Sequence, residues 1–73
     1  MKITSYVEKD AESGKYVAIV PSIPGAHTEA DSLDELQENL KEVIELCLRE
    51  MTVEEKKTLP EFVGLQQLDI SVD

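Results

Sequence analysis

Residues 32–51 read SLDELQENLKEVIELCLREM and decide the fold that we predict for this chain. Their apolar residues recur at three- and four-residue steps, which places them on one side of an α-helix. Ser32, followed three residues later by Glu35, predicts a capping box at the start of that helix. We therefore predict one long amphipathic helix, which would bury the stripe Leu33, Leu36, Leu40, Val43, Ile44, Cys47, Leu48 and Met51.

Strand patterns flank this helix on both sides. Residues 2–9 and 15–20 are rich in β-branched and aromatic residues, and each predicts a strand. Residues 26–30 are short and mixed but are enough for a third strand beside the second, and turn residues separate the three segments. After the helix, residues 53–57 predict one further helical turn. Residues 65–72 predict a fourth strand, which we expect at the sheet edge, parallel to the first strand. The chain is thus predicted to form a single α+β domain over residues 1–73, with the order β-β-β-α-β and a mostly antiparallel sheet.

Two turns join the first three strands. The polar segment Asp10–Gly14 separates the first from the second, and Gly14 is free to adopt a positive φ. The second strand ends at Pro21, because proline cannot donate to a sheet ladder. Pro24 and Gly25 then predict a type II turn before the third strand.

The charge of the chain is strongly acidic. Among 73 residues, 16 are Asp or Glu and 7 are Lys or Arg, for a net charge of −9. Such a surface repels nucleic acid and anionic membranes and attracts a basic partner, although solubility alone would also explain it. The chain has no apolar leader segment and no run of 18 apolar residues, so we expect a cytoplasmic protein that does not bind membranes.

No residue pattern predicts catalysis or metal binding. Cys47, the single cysteine, falls on the apolar stripe, and His27, the single histidine, is predicted to face solvent from the third strand. A metal-dependent nuclease would need carboxylates that converge on one ion. The available carboxylates are Glu8 and Asp69 on predicted strands and Glu38, Glu42 and Glu45 on the helix. They do not converge, because the three on the helix face away from the sheet. We expect no enzyme activity and no cofactor.

Three segments resemble the HicB-like antitoxin family. They are YVAIVPSIPG at residues 16–25, TEADSLDE at 28–35 and NLKEVIEL at 39–46. The most specific feature is the proline–glycine turn followed by an acidic cap and an acidic amphipathic helix. The resemblance implies a reduced ribonuclease-H-like fold, a prokaryotic origin and a tendency to form homo-oligomers. It also implies an antitoxin that holds inactive a small basic mRNA-cleaving toxin of the HicA type.

The sequence departs from full-length members of that family at its C-terminus. Those proteins usually carry a helix-turn-helix or ribbon-helix-helix segment that binds operator DNA. Here the sequence stops at Asp73, after the last predicted strand and with no basic segment, so we expect no direct nucleic acid binding. Two functions are consistent with the sequence. One is a module that masks a HicA-type toxin, and the other is a stand-alone, self-associating structural or regulatory domain.

Two sets of residues are candidates for binding surfaces. The second strand is apolar on both faces while one helix can cover only one of them, and Leu46 falls outside the helical stripe. Val17, Ile19 and Leu46 are therefore candidate contacts of a homo-oligomer. The candidate surface for a basic partner is the exposed acidic side of the helix, formed by Asp34, Glu38, Glu42 and Glu45.

Overall fold

A computed structural model describes residues 2–72 of the protein. Three strands come first and two helices follow, which confirms the α+β class. The sheet has the order β1-β2-β3, and both strand pairs are antiparallel. The elements are β1 (Tyr6–Lys9), β2 (Tyr16–Ile19), β3 (His27–Ala30), α1 (Leu33–Glu50) and α2 (Val53–Lys57).

Both strand connections form as predicted. In the first, the Asp10 carboxylate accepts bonds from the backbone N–H (2.9 Å) and the hydroxyl (2.7 Å) of Ser13, and Gly14 has a φ of 74°. In the second, the Ala26 N–H donates to the Ile23 carbonyl at 3.1 Å, and Gly25 has a φ of 84°. These features are those of a type II turn.

The strand register determines which side chains face the helix. Ala18 on β2 is fully buried and pairs with Val7 on β1 and Thr28 on β3. Because side chains alternate along a strand and paired residues share a face, these three lie on the helix side of the sheet. Ile19 and its partner Tyr6 lie on the opposite side. We call that opposite side the outer sheet face.

The core lies between the sheet and α1. Leu36 packs with the sheet residues Ala18 and Ala30 in one cluster, while the second cluster lies around the β2–β3 connection. Leu40 packs against both clusters. The second cluster consists of Val20, Ile23 and Ala26, with Ile3, Ile44, Cys47, Leu48 and Met51 packed against it. Six members of the predicted stripe therefore pack in these clusters. Val43 is half-buried and borders a surface notch instead, and Leu33 is 56% exposed at the first position of the helix.

The two helices differ in how they begin. At α1, the Ser32 hydroxyl accepts a bond from the Glu35 N–H at 3.2 Å. This is one of the two bonds of the capping box predicted there. The same sequence pattern at Thr52–Glu55 forms both bonds at α2: the Thr52 hydroxyl accepts from the Glu55 N–H (3.1 Å), and the Glu55 carboxylate accepts from the Thr52 N–H (3.3 Å). The helical turn predicted over residues 53–57 is thereby confirmed.

The helix α1 does not cover the sheet evenly. It packs mainly on β3 and β2, and the Asn39 side-chain amide donates to the Glu29 carbonyl of β3 at 3.3 Å. All four residues of β1 are exposed, including Val7, which faces the helix side yet is 42% exposed. The free edge of β1 is therefore the open side of the sheet.

The predicted fourth strand does not form, because residues 65–72 have no strand pairing. A strand requires a neighbouring backbone to bond, and within residues 2–72 the pairings found join only β1 with β2 and β2 with β3. After α2, the chain at Val63–Leu65 instead borders a surface cleft beside Pro21 and Ser22, which follow the central strand. The apolar residues of the segment are left in solvent.

Candidate protein-binding surfaces

An acidic strip runs along the exposed side of α1. Its members are spaced three or four residues apart, which places them in one row about 16 Å long. Every member is exposed, as predicted: Asp34, Glu38, Glu42 and Glu45. The ion pairs found among residues 2–72 lie elsewhere, between Lys15 and Glu29 and between Lys57 and Glu54. The charge of the acidic strip is therefore not compensated by a nearby salt bridge.

The outer sheet face has an apolar centre. Ile19 and Tyr6 are neighbours across the β1–β2 pair, and they are 45% and 44% exposed. Val17, next to them on β2, is half-buried. Its cross-strand partners are Glu8 and Glu29, both exposed. Val17 and Ile19 thus lie on the side of the sheet opposite the helix, and their role as oligomer contacts stays a prediction.

Leu46 lies on the other side of the sheet. It is 48% exposed and borders a notch of about 270 Å³ between α1 and β3. Thr28, which faces the helix side, and Glu42 of the acidic strip line the same notch. The three residues predicted as oligomer contacts are thus divided between two surfaces, and Leu46 adjoins the acidic strip.

The single histidine and the single cysteine lie on opposite sides of the sheet. His27 is exposed on β3, as predicted. Cys47 is half-buried against the second core cluster. Within residues 2–72, no three His, Cys, Asp or Glu side chains gather in a way that could hold a metal ion. No helix in that range is long and apolar enough to cross a membrane.

The sequence did not predict two features of these surfaces. The pairing of Tyr6 with Ile19 depends on the hairpin register, and the length of the polar turn left that register open. The bond from Asn39 to the Glu29 carbonyl depends on where α1 lies over the sheet. The spacing of apolar residues shows which side of a helix is buried but not where the helix lies along its neighbours.

Comparison with known proteins identifies the family. The sequence model described as "HicB_like antitoxin of bacterial toxin-antitoxin system" matches residues 4–73. The chain belongs to the HicB-like antitoxin family. This membership confirms the resemblance and places the chain among proteins of toxin–antitoxin systems, whose members have toxin partners. No solved structure gives a significant match.

Curated relatives of this HicB-like chain occur in archaea and bacteria. A UPF0150 protein of Archaeoglobus fulgidus is 50% identical over 72 residues, which is 96% of both chains. A UPF0150 protein of Thermotoga maritima is 43% identical over 92% of this chain and 87% of its own length. One from Synechocystis is 39% identical over 85% of this chain and 84% of its own. The similarity to these relatives therefore extends over nearly the whole length of each protein.

Proposed function

We propose that this protein is an antitoxin-like module that binds a small basic mRNA-cleaving toxin of the HicA type and masks it. The match to the HicB-like antitoxin family over residues 4–73 supports a toxin as the partner. The net charge of −9 supports a basic one. Ribonucleases bind the phosphates of RNA through basic groups, and an acidic protein competes for those same groups.

The observation that carries this proposal is the acidic strip beside the notch at Leu46. Uncompensated carboxylates raise the rate of encounter with a basic surface, but by themselves they add little to the lifetime of the complex. An exposed leucine at the edge of the strip adds apolar area that a partner can bury, which slows dissociation. Since Glu42 lines the notch together with Leu46, one partner can contact both.

The first experiment is to co-express the protein with a small basic protein encoded beside it and to test for co-purification. Recovery of a complex that no longer cleaves mRNA, with cleavage restored on dissociation, is the expected result. A complex that cleaves mRNA as fast as the free toxin would rule out masking.

Association kinetics with that toxin then test the acidic strip. The triple variant Glu38→Gln, Glu42→Gln, Glu45→Gln should associate about tenfold more slowly at low salt, with a weaker salt dependence and little change in dissociation. Asp34 is kept, because its charge stabilises the first turn of α1 through the helix dipole.

A control variant with equal charge change makes this test specific. Glu12→Gln, Glu50→Gln, Glu61→Gln also removes three negative charges, all at exposed positions outside the acidic strip. It should retain an association rate close to that of the wild type. If the two triple variants slow association equally, net charge rather than the acidic strip controls encounter.

A second candidate function is that of a self-associating structural or regulatory domain without a toxin. The apolar centre of the outer sheet face supports it, since one helix leaves Tyr6, Val17 and Ile19 without cover. Under this proposal, Ile19→Glu lowers the mass measured by sedimentation equilibrium without loss of the fold. If the variant and the wild type have the same mass, this face is not an oligomer contact.

A further inference from the structure

A groove of about 410 Å³ lies between the start of the chain and the segment that follows α2. Residues 2–4 line it together with residues 59–62, and residues 22–23 of the β2–β3 connection contribute as well. Small-molecule sites in proteins have volumes of about 300–1,000 Å³. The groove is therefore large enough for a small organic ligand, and it shares no residue with the acidic strip.

The apolar part of the groove continues from the core. Ile23, which is 1% exposed, lines the groove and belongs to the second core cluster. Ile3 packs against that cluster and lines the groove beside it. Leu59 and Phe62, both half-buried, add apolar surface from the segment after α2. A ligand with an apolar body would find here a surface that the core holds in place.

The charge of the groove is opposite to that of the chain. Lys2 and Lys56 both line it, although they are far apart in the sequence. No carboxylate is found among its lining residues in the described chain, even though 16 of the 73 residues are Asp or Glu. Four other clefts each include a glutamate, namely Glu42, Glu61, Glu29 and Glu55. This groove therefore differs from them in the sign of its charge.

The two lysines are available to a ligand. The ion pairs found among residues 2–72 involve other lysines, and both Lys2 and Lys56 are exposed. Thr4 and Ser22 add hydroxyl groups to the same lining. A cleft lined by charges of one sign on apolar walls concentrates ions of the opposite sign. The groove thus combines attraction for an anion with a surface for an apolar body.

The residue types favour a carboxylate over a phosphate as the anionic group. Proteins commonly bind phosphate through the forked guanidinium of arginine or through the backbone N–H groups of glycine-rich turns. Neither arginine nor glycine lines the groove in the part of the chain that the structure describes. Two lysine ammonium groups act as point charges, which suffice for a single carboxylate.

We propose that this groove binds a small aliphatic monocarboxylate. The carboxylate lies between Lys2 and Lys56 and accepts hydrogen bonds from their ammonium groups, while the aliphatic chain covers Ile3 and Phe62. The bound anion joins the start of the chain to the segment after α2, because each of them supplies part of the site. This inference concerns the protein alone and does not depend on the proposed toxin.

Titration of the ¹⁵N-labelled protein with octanoate at pH 7, followed by nuclear magnetic resonance, tests the proposal. The amide signals of Ile3, Ile23 and Phe62 should shift together and reach saturation. Butyrate has the same carboxylate but four fewer methylene groups. It should bind at least tenfold more weakly, because each buried methylene contributes about fourfold in affinity. Octanol, which has no charge, should also bind about tenfold more weakly than octanoate.

A pair of double variants separates the two lysines from overall charge. Lys2→Gln, Lys56→Gln should weaken octanoate binding about tenfold, and the fold should be retained, since both side chains are exposed. Far-UV circular dichroism checks the fold. The control Lys41→Gln, Lys57→Gln removes the same charge at exposed positions outside the groove. Its affinity for octanoate should stay within about twofold of the wild-type value.

Four results would overturn the proposal. The first is a titration with octanoate that gives no saturable shifts at the groove. The second is binding of butyrate or inorganic phosphate as tight as that of octanoate, because the apolar walls would then contribute nothing. The third is equal weakening in the two double variants, and the fourth is binding of octanol as tight as that of octanoate. Either of these last two would show that Lys2 and Lys56 do not hold the carboxylate.

Discussion

Leu40 should contribute more to stability than any exposed leucine of α1, because it packs against both core clusters. Leu40→Ala would leave a cavity between the Leu36 cluster and the cluster around Ile23. Buried leucine truncations cost about 2–5 kcal/mol. Since Leu40 is half-buried, we expect a loss at the lower end, about 2–3 kcal/mol.

That loss is large for a protein of this size. A chain of 73 residues has an unfolding free energy of about 4–11 kcal/mol. We therefore expect the melting temperature of Leu40→Ala to fall by roughly 10–20 °C. Urea denaturation followed by far-UV circular dichroism should give a lower midpoint with an unchanged slope, at a fixed protein concentration, because self-association would raise apparent stability.

The matched control is the same substitution at Leu33. That side chain lies on the same helix but is 56% exposed, so Leu33→Ala should change the unfolding free energy by no more than about 0.5 kcal/mol. Equal midpoints for Leu33→Ala and Leu40→Ala would refute the packing described for α1. So would a Leu40→Ala protein as stable as the wild type.

Three further predictions concern turns and caps. Ser32→Ala should lower the unfolding free energy by about 1 kcal/mol in urea denaturation, because the Glu35 N–H loses its cap. Gly25→Ala should cost about 1–2 kcal/mol by the same assay, since φ is 84° and a Cβ there meets no atom within 4 Å, leaving backbone strain as the cost. Bonds from Ser13 lower the pKa of the Asp10 carboxyl. These bonds therefore stabilise the folded protein above the pKa that the carboxyl has in the unfolded chain, and this stabilisation is lost as pH falls through the pKa in the folded protein. Asp10→Asn should therefore make the unfolding free energy less dependent on pH in the acidic range.

The parts of the fold that the sequence predicted are those set by local chemistry. The helix followed from the spacing of its apolar residues and from Ser32, and the β2–β3 turn followed from Pro24 and Gly25. The prediction that Leu33 is buried was wrong. Periodicity assigns a residue to a side of the helix, whereas burial also requires an opposing element. Within residues 2–72, no element packs over the first position of α1, and Leu33 is 56% exposed there.

The fourth strand and the binding surfaces required information that lies outside local sequence. A strand pattern at residues 65–72 shows that the segment favours an extended backbone, but pairing depends on where the preceding chain leads. The face of Val17 and Ile19 followed from alternation along β2, but the position of Leu46 relative to them depended on the docking of α1. The exposure of the acidic strip was predictable because it needed only the helical period.

The β2–β3 connection behaves as part of the core rather than as an ordinary loop. Ile23, at its centre, is 1% exposed, so lengthening this connection would pull a core side chain out of place. The β1–β2 turn has the opposite character, since Glu12 and Ser13 are exposed and loop tips of that kind accept added residues. An epitope tag or a fluorescent label inserted for partner capture therefore belongs between Glu12 and Ser13, where it costs the Asp10–Ser13 bonds of the turn but leaves α1 and the core cluster around Ile23 in place.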